Sequence, residues 1–362
     1  MSCARGSGVR LSTPARPWRT GGLWLGLLLA GGVAPPLAAD ESPEAVGAPP
    51  PAQETAGGLQ QRTILSPQGA LTVEPSLSYS QSSSTVVAID GFTILPAIAV
   101  GLISVRETQR ESLTAAAALR YGVTDRLEVE TRVPYVYREE QVREREVLQG
   151  VDSPRIDDSD GYGLGDVEGS LRYQLSSGRG DGAIFTAGLR VKSRTGKDPF
   201  EVATREVSLD DDNDLIAFAE QPTGSGFWGV QPSLNWVYPS EPAVLYGSLS
   251  YLHNFSRKVT LQSGERARID PGDAVGLSFG MGIALNDRTS LSLGYDHSMV
   301  QRTRIDSASG MDAEFDRFQV GSLLLGGAHR LGPRSSLGLS VGVGVTEEAP
   351  DVQVTLRLPI RF

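Results

Sequence analysis

From about residue 70 to Phe362 apolar and polar side chains alternate with a period of two, in one run after another. In the last run Val352, Val354, Leu356, Leu358, Ile360 and Phe362 share one face, and Gln353, Thr355, Arg357, Pro359 and Arg361 share the other. The run before it sets Leu337, Leu339, Val341, Val343 and Val345 against Ser336, Gly338, Ser340, Gly342 and Gly344. A period of two is the signature of β-strands with two chemically different faces. No segment of this region shows a convincing amphipathic-helix pattern.

Such strands form either a soluble antiparallel sheet with its apolar face inward, or a membrane barrel with its apolar face outward. Three features favour the barrel. Many runs exceed ten residues, where soluble strands average about five or six. The apolar faces carry aromatics near strand ends (Tyr121, Tyr135, Tyr137, Tyr173, Trp228, Trp236, Tyr238 and Tyr295), as interfacial girdles do. Short turns also alternate with long polar connections. Lipid admits only helices and closed barrels, because every backbone amide must be paired internally. A mean hydropathy of −0.15 is too polar for a bundle of membrane helices. The expected fold is therefore all-β, a closed antiparallel transmembrane β-barrel.

Twelve strands are expected, at 70–81, 102–122, 126–140, 162–176, 182–194, 226–238, 243–258, 273–285, 289–303, 316–331, 335–346 and 351–362. Tight turns fall at 123–126, 177–181, 239–242, 286–288 and 332–334. Longer connections fall at 82–101, 141–161, 195–225, 259–272 and 304–315, with a short one at 347–350. Stretch 94–103 reads either as an extra strand piece or as an inserted loop. Both termini and the tight turns are expected on the periplasmic side of an outer membrane.

Residues 1–39 combine Arg5, Arg10, Arg16 and Arg19 with the apolar run Leu23–Ala30 and a small-residue end at Pro36–Ala39. That is the pattern of a secretory signal peptide. Residues 40–69, rich in Pro, Ala, Gly, Glu and Gln, read as a flexible periplasmic segment ahead of a barrel at 70–362. The single cysteine, Cys3, lies in the signal, so no disulfide is available to the barrel. Setting aside the four signal arginines, the formal charge of −10 becomes −14. A chain this acidic is a poor non-specific binder of nucleic acid.

Several local motifs are familiar. Leu119-Arg120-Tyr121-Gly122-Val123-Thr124-Asp125-Arg126-Leu127-Glu128-Val129, Val133-Pro134-Tyr135, Gly163-Leu164-Gly165-Asp166-Val167 and Leu171-Arg172-Tyr173 resemble the family named for the MetA pathway of phenol degradation. The resemblance covers most of residues 70–362 and implies an outer-membrane barrel of transporter type. The motifs describe a turn and strand starts, and they say nothing of a solute. The ending Leu358-Pro359-Ile360-Arg361-Phe362 is similar to the aromatic-ended last strand through which the barrel-assembly machinery recognises its clients.

Alternation projects one face of each strand into the lumen. The expected lumen charges are Glu74, Arg120, Glu128, Glu130, Arg132, Arg138, Asp166, Glu168, Arg172, Arg190, Lys192, Arg194, Arg357 and Arg361. Opposite charges on adjacent strands lie about 5 Å apart and can pair. They serve either as a selectivity-setting wall or as a structural ladder. The facing wall is small-residued: Gly276, Ser278, Gly280, Gly282, Ser292, Gly294, Gly338, Ser340 and Gly342. Its volume is either open or filled by a loop or the N-terminal segment.

Other motifs read more plainly. Gly161, Gly163 and Gly165 precede no helix, so they form no phosphate loop. Asp210, Asp212 and Asp214 alternate as calcium ligands do, but the glycine and glutamate of such a loop are missing. These acids, with Asp157, Asp158 and Asp160, are weak candidates for divalent ions beside lipopolysaccharide. His297 cannot act with its neighbours Asp296 and Ser298, since adjacent strand residues point to opposite faces. No enzyme and no cofactor are expected. The expected function is passive passage of small solutes, aromatic or amphipathic among them; the alternative is a non-conducting barrel working through its outer loops.

Overall fold

The computed structural model describes residues 65–95, 98–146, 155–176, 182–210, 213–240, 242–260, 266–307 and 313–362. The expected signal peptide at 1–39, residues 40–64 and the tight turn at 177–181 lie outside these residues. Twelve strands close into an antiparallel barrel. They are β1 (Leu71–Leu95), β2 (Ile98–Thr124), β3 (Leu127–Glu146), β4 (Arg155–Leu164 and Glu168–Gln174), β5 (Ile184–Lys192) and β6 (Gly229–Pro239). The second half comprises β7 (Ala243–Asn254), β8 (Ala274–Ala284), β9 (Thr289–Val300), β10 (Phe318–Arg330), β11 (Ser336–Gly344) and β12 (Val352–Arg357 and Ile360–Arg361). Each strand pairs with the next in the chain, and β12 returns to β1 with Ser76 opposite Arg357 and Thr72 opposite Arg361. The seam leaves no free edge, and on its inner face Ser78 Oγ lies 3.0 Å from Thr355 Oγ1.

The polarity is that of a soluble protein turned inside out. Leu77, Leu171, Leu249, Leu277, Leu293 and Leu325 are exposed around the circumference, Leu325 to 58%. Glu74, Arg120, Glu128, Glu130 and Arg172 are buried, Glu128 to 1% exposure. A contiguous belt of exposed leucines is stable only against another apolar phase. The aromatics Tyr121, Tyr135, Tyr137, Tyr173, Trp228 and Tyr238 stand on this outer surface too. Trp236 lies over Gly247, where a Cβ would come within 2.7 Å of its ring.

Three strand expectations are corrected. Residues 82–101 are no loop: β1 and β2 continue as one hairpin whose pairing runs from Leu71 opposite Tyr121 to Leu95 opposite Ile98. Ser82-Ser83-Ser84 has turn composition, but the β-branched residues beyond it sustain the ladder. Likewise β3 runs to Glu146 and β4 begins at Arg155, which shortens the connection expected at 141–161. There the alternation is of charge against charge: Glu107 faces Arg143, and Arg110 faces Glu140. Finally, β4 is interrupted at Gly165-Asp166-Val167, and β5 stops at Lys192 rather than 194.

The long connections carry structure of their own. Thr204–Asp210 and Asn213–Phe218 form a hairpin within 195–225. Arg257–Thr260, Arg266–Asp270, Thr303–Ser307 and Ala313–Phe315 assemble a four-stranded sheet from two connections expected as plain loops. Val259 and Ile269 of that sheet pack on Phe227, and Phe200 meets Phe227 edge-on at 5.9 Å.

Two outcomes test this architecture. Ser78→Cys with Thr355→Cys should form a disulfide in the folded protein, trapping a gel mobility that heat alone no longer shifts; no bond under oxidation would mean that β1 and β12 are not neighbours. Leu277→Arg, facing lipid, should lower the unfolding free energy in vesicles by about 2–4 kcal/mol, and denaturant titration will read it.

Candidate functional site: a charged and hydroxylated lumen

The lumen wall on β1 to β5 is a chain of ion pairs. Arg120 on β2 pairs with Glu74 on β1 and lies 3.9 Å from Glu130 on β3. Arg172 on β4 bridges Glu128 at 2.5 Å and Glu130 at 2.6 Å. Further toward the long-connection end, Arg132 stands 3.7 Å from Glu168. Arg190 bonds both Glu168 oxygens at 3.3 Å and Gln231 Oε1 at 2.8 Å through its Nε. The pairs follow from register: Arg120 faces Glu130, Glu128 faces Arg172, and Arg132, Glu168 and Lys192 form one row across three strands. Buried carboxylates keep their charge only when cations and hydrogen bonds surround them.

The remaining charges take other places. Asp166 sits in the break of β4, not in the ladder; it accepts from Gly196 N at 3.1 Å, Ser225 N at 2.8 Å and Ser225 Oγ at 2.6 Å. Arg138 donates to Pro222 O at 2.8 Å. These two side chains therefore tie the 193–228 connection to the barrel. Arg194 lies beyond the end of β5 and is exposed, because the strand's alternation ends with it. Arg361 is exposed at the short-turn rim, whereas Arg357 is half-buried on β12. Asp212, and the side chains of Asp210 and Asp214, lie outside the described residues. No group of three or more metal-ligating side chains occurs among the described residues.

On the facing wall the small residues make room for neighbours. Tyr246 on β7 is fully buried and lies over Gly280, where a Cβ would come within 2.6 Å of its hydroxyl. Leu324 on β10 fills the space above Gly342, and Val237 joins both in an apolar cluster. Between the two walls lies a cavity of about 70 Å³ lined by Glu130, Arg172, Arg190, Gln231, Ser278 and Asp296, among others. Most of its lining residues are polar, and it has room for several waters. Ser248 and Ser278 face each other there at 2.7 Å. Asp296 and Tyr246 were absent from the expected site, although parity alone puts Asp296 opposite lipid-facing Tyr295 and His297.

The chain itself also enters this lumen. Ser66 N donates to Glu128 Oε2 at 2.7 Å, and Leu65 and Ser66 are buried while Pro67 to Gly69 are exposed. Gly122 admits the crossing, since any Cβ there would meet Pro67 O at 2.1 Å.

A closed antiparallel barrel with an apolar exterior and a paired, polar interior defines an outer-membrane β-barrel. Residues 214–362 match the family described as "Putative MetA-pathway of phenol degradation", the same family that residues 119–173 resemble. Among solved structures, the COG4313 outer membrane channel from Pseudomonas putida F1 is similar with a TM-score of 0.51 at 16% identity, over 87% of this chain and 100% of that one. The Pseudomonas putida toluene transporter TodX is a more distant match, with a TM-score of 0.38 at 11% identity over 82% of this chain and 89% of that one.

The ion-pair chain predicts a specific pattern of stability. Arg172→Met should cost about 3–5 kcal/mol, since it strands two buried carboxylates. Adding Glu128→Gln and Glu130→Gln should recover most of that loss. Denaturant titration of the single and triple variants decides it; an equally unstable triple variant would mean that Arg172 acts by packing rather than charge.

Proposed function

We propose that this protein is an outer-membrane channel for passive passage of small, uncharged, amphipathic solutes. The observation that carries the reading is the cavity between a wall of mutually paired charges and a wall of hydroxyls and small residues. Paired charges hydrate a lumen without giving it a strong net field. The family's description, tied to phenol degradation, is consistent with such a solute.

In this reading the short turns and both termini are periplasmic, and the structured long connections face outside, where they meet lipopolysaccharide. The charged wall acts first as a brace and second as a weak filter. Phe362, exposed at the end of β12, is the contact offered to the assembly machinery.

Single-channel recording of the refolded protein in a planar bilayer tests the proposal. Discrete conductance steps with a reversal potential near zero in a salt gradient are expected. A silent bilayer, with folding confirmed by heat-modifiable mobility, would overturn the channel; a strongly anion- or cation-selective current would overturn the uncharged-solute reading.

A further inference from the structure

The short-turn end of the barrel carries four arginines that stand in two opposed pairs. Arg288 precedes β9, Arg330 closes β10, Arg334 precedes β11 and Arg361 lies at the end of β12. Register sets them face to face. Thr289 faces His329, so Arg288 faces Arg330, and Arg330 N donates to Arg288 O at 2.7 Å. Ser335 faces Ile360, so Arg334 faces Arg361, and Arg361 N donates to Arg334 O at 2.8 Å. The turn between β10 and β11, closed by Leu331 N on Ser335 O at 3.0 Å, sets the two pairs side by side.

All four continue the parity that sends Ser292, Leu324, Ser340 and Thr355 inward. The exposed apolar residues of the same rim, Leu285, Leu331 and Phe362, hold the opposite parity. The arginines are exposed because lumen-parity residues meet water where the barrel opens. Like charges directly opposite on neighbouring strands repel, with Cβ atoms about 5 Å apart. Two such pairs lie together in a chain whose formal charge is −10. Among the described residues none of the four side chains has an ion pair or a hydrogen bond. The nearest acids along the chain are Asp287, of opposite parity, and the α-carboxylate of Phe362, and these cannot neutralise four cations.

We propose that this crescent of Arg288, Arg330, Arg334 and Arg361 is a binding site for a soluble anion carrying more than one phosphate group. A guanidinium presents its N–H groups as a fork that matches phosphate oxygens two at a time. A carboxylate has oxygens for one fork only. A terminal phosphate has three and can bridge an opposed pair. Strands about 4.8 Å apart spread the crescent over roughly 14 Å of rim, from β9 to β12. One phosphate serves one pair, and linked phosphates serve both. A lipid headgroup offers the same chemistry, but lumen parity turns these side chains toward the mouth and away from lipid. The bound anion relieves the repulsion and stands at one end of the lumen. The site does not depend on what the channel passes, since binding needs no current.

The test is isothermal titration calorimetry of inorganic tripolyphosphate into the folded full-length mature protein, in uncharged detergent at low salt. Saturable binding is expected, weakened about tenfold by Arg330→Gln and by Arg334→Gln, since each loses a charge-assisted fork. Arg126→Gln, at the exposed turn before β3, should bind like the parent. Heat-modifiable mobility checks the fold of each variant. Arg330→Lys and Arg334→Lys, which keep the charge and lose the fork, serve if the glutamine variants fail to fold, and they should also bind more weakly. No saturable binding, variants that bind like the parent, or an equal loss in Arg126→Gln would each overturn the proposal. So would acetate binding as tightly as tripolyphosphate. Tighter binding of dihexanoyl phosphatidylglycerol than of tripolyphosphate would overturn it too, and would give the arginines to lipid headgroups. Conductance of the same preparation separates this claim from the channel: steps without tripolyphosphate binding sink only the site, and binding without steps sinks only the channel.

Discussion

Backbone hydrogen bonding in a medium without water governs everything else here. Each N–H and C=O within the apolar belt must find a partner inside the protein, and a sheet achieves that only by closing. The pairing of β12 with β1 is thus the feature on which the other eleven seams depend. Opening it would leave two strands' worth of unpaired amides in lipid, each costing several kcal/mol. Local alternation of side chains then becomes a global partition, with leucines toward lipid and Glu, Arg, Ser and Gly inside.

That partition creates a second constraint. A lumen of this width cannot hydrate every charge as bulk water would. Glu128, at 1% exposure, is met by both Arg172 and the Ser66 amide. Brace and filter are therefore one set of atoms. The facing wall works differently, because its glycines admit side chains from neighbouring strands. Tyr246 over Gly280 and Leu324 over Gly342 place apolar surface inside an otherwise polar barrel.

Much of this was legible in the residues. The period of two identified the strands because the pleat sends successive side chains to opposite faces, and all twelve strands begin or end within a few positions of where turn composition puts them. Lumen charges such as Glu74, Arg120, Glu130 and Arg190 were legible by parity alone. Legibility failed where composition and pairing disagree. Ser82–Ser84 looked like a loop, but a partner strand held it extended. Arg194 looked like lumen, but the strand had already ended.

Sequence alone determined the all-β class, the closure and the face that a residue within a regular strand takes. Each follows from short-range alternation and from the composition of turns. The tertiary structure decided which charges meet, that Asp166 and Arg138 pin the 193–228 connection, that two distant connections join in one small sheet, and that Lys192 and Asn254 converge over Gly229. Those facts depend on register between strands far apart in the chain and on which side chain occupies the space beside a glycine. A one-dimensional pattern carries the face a residue takes; only the closed sheet sets its neighbours across that face.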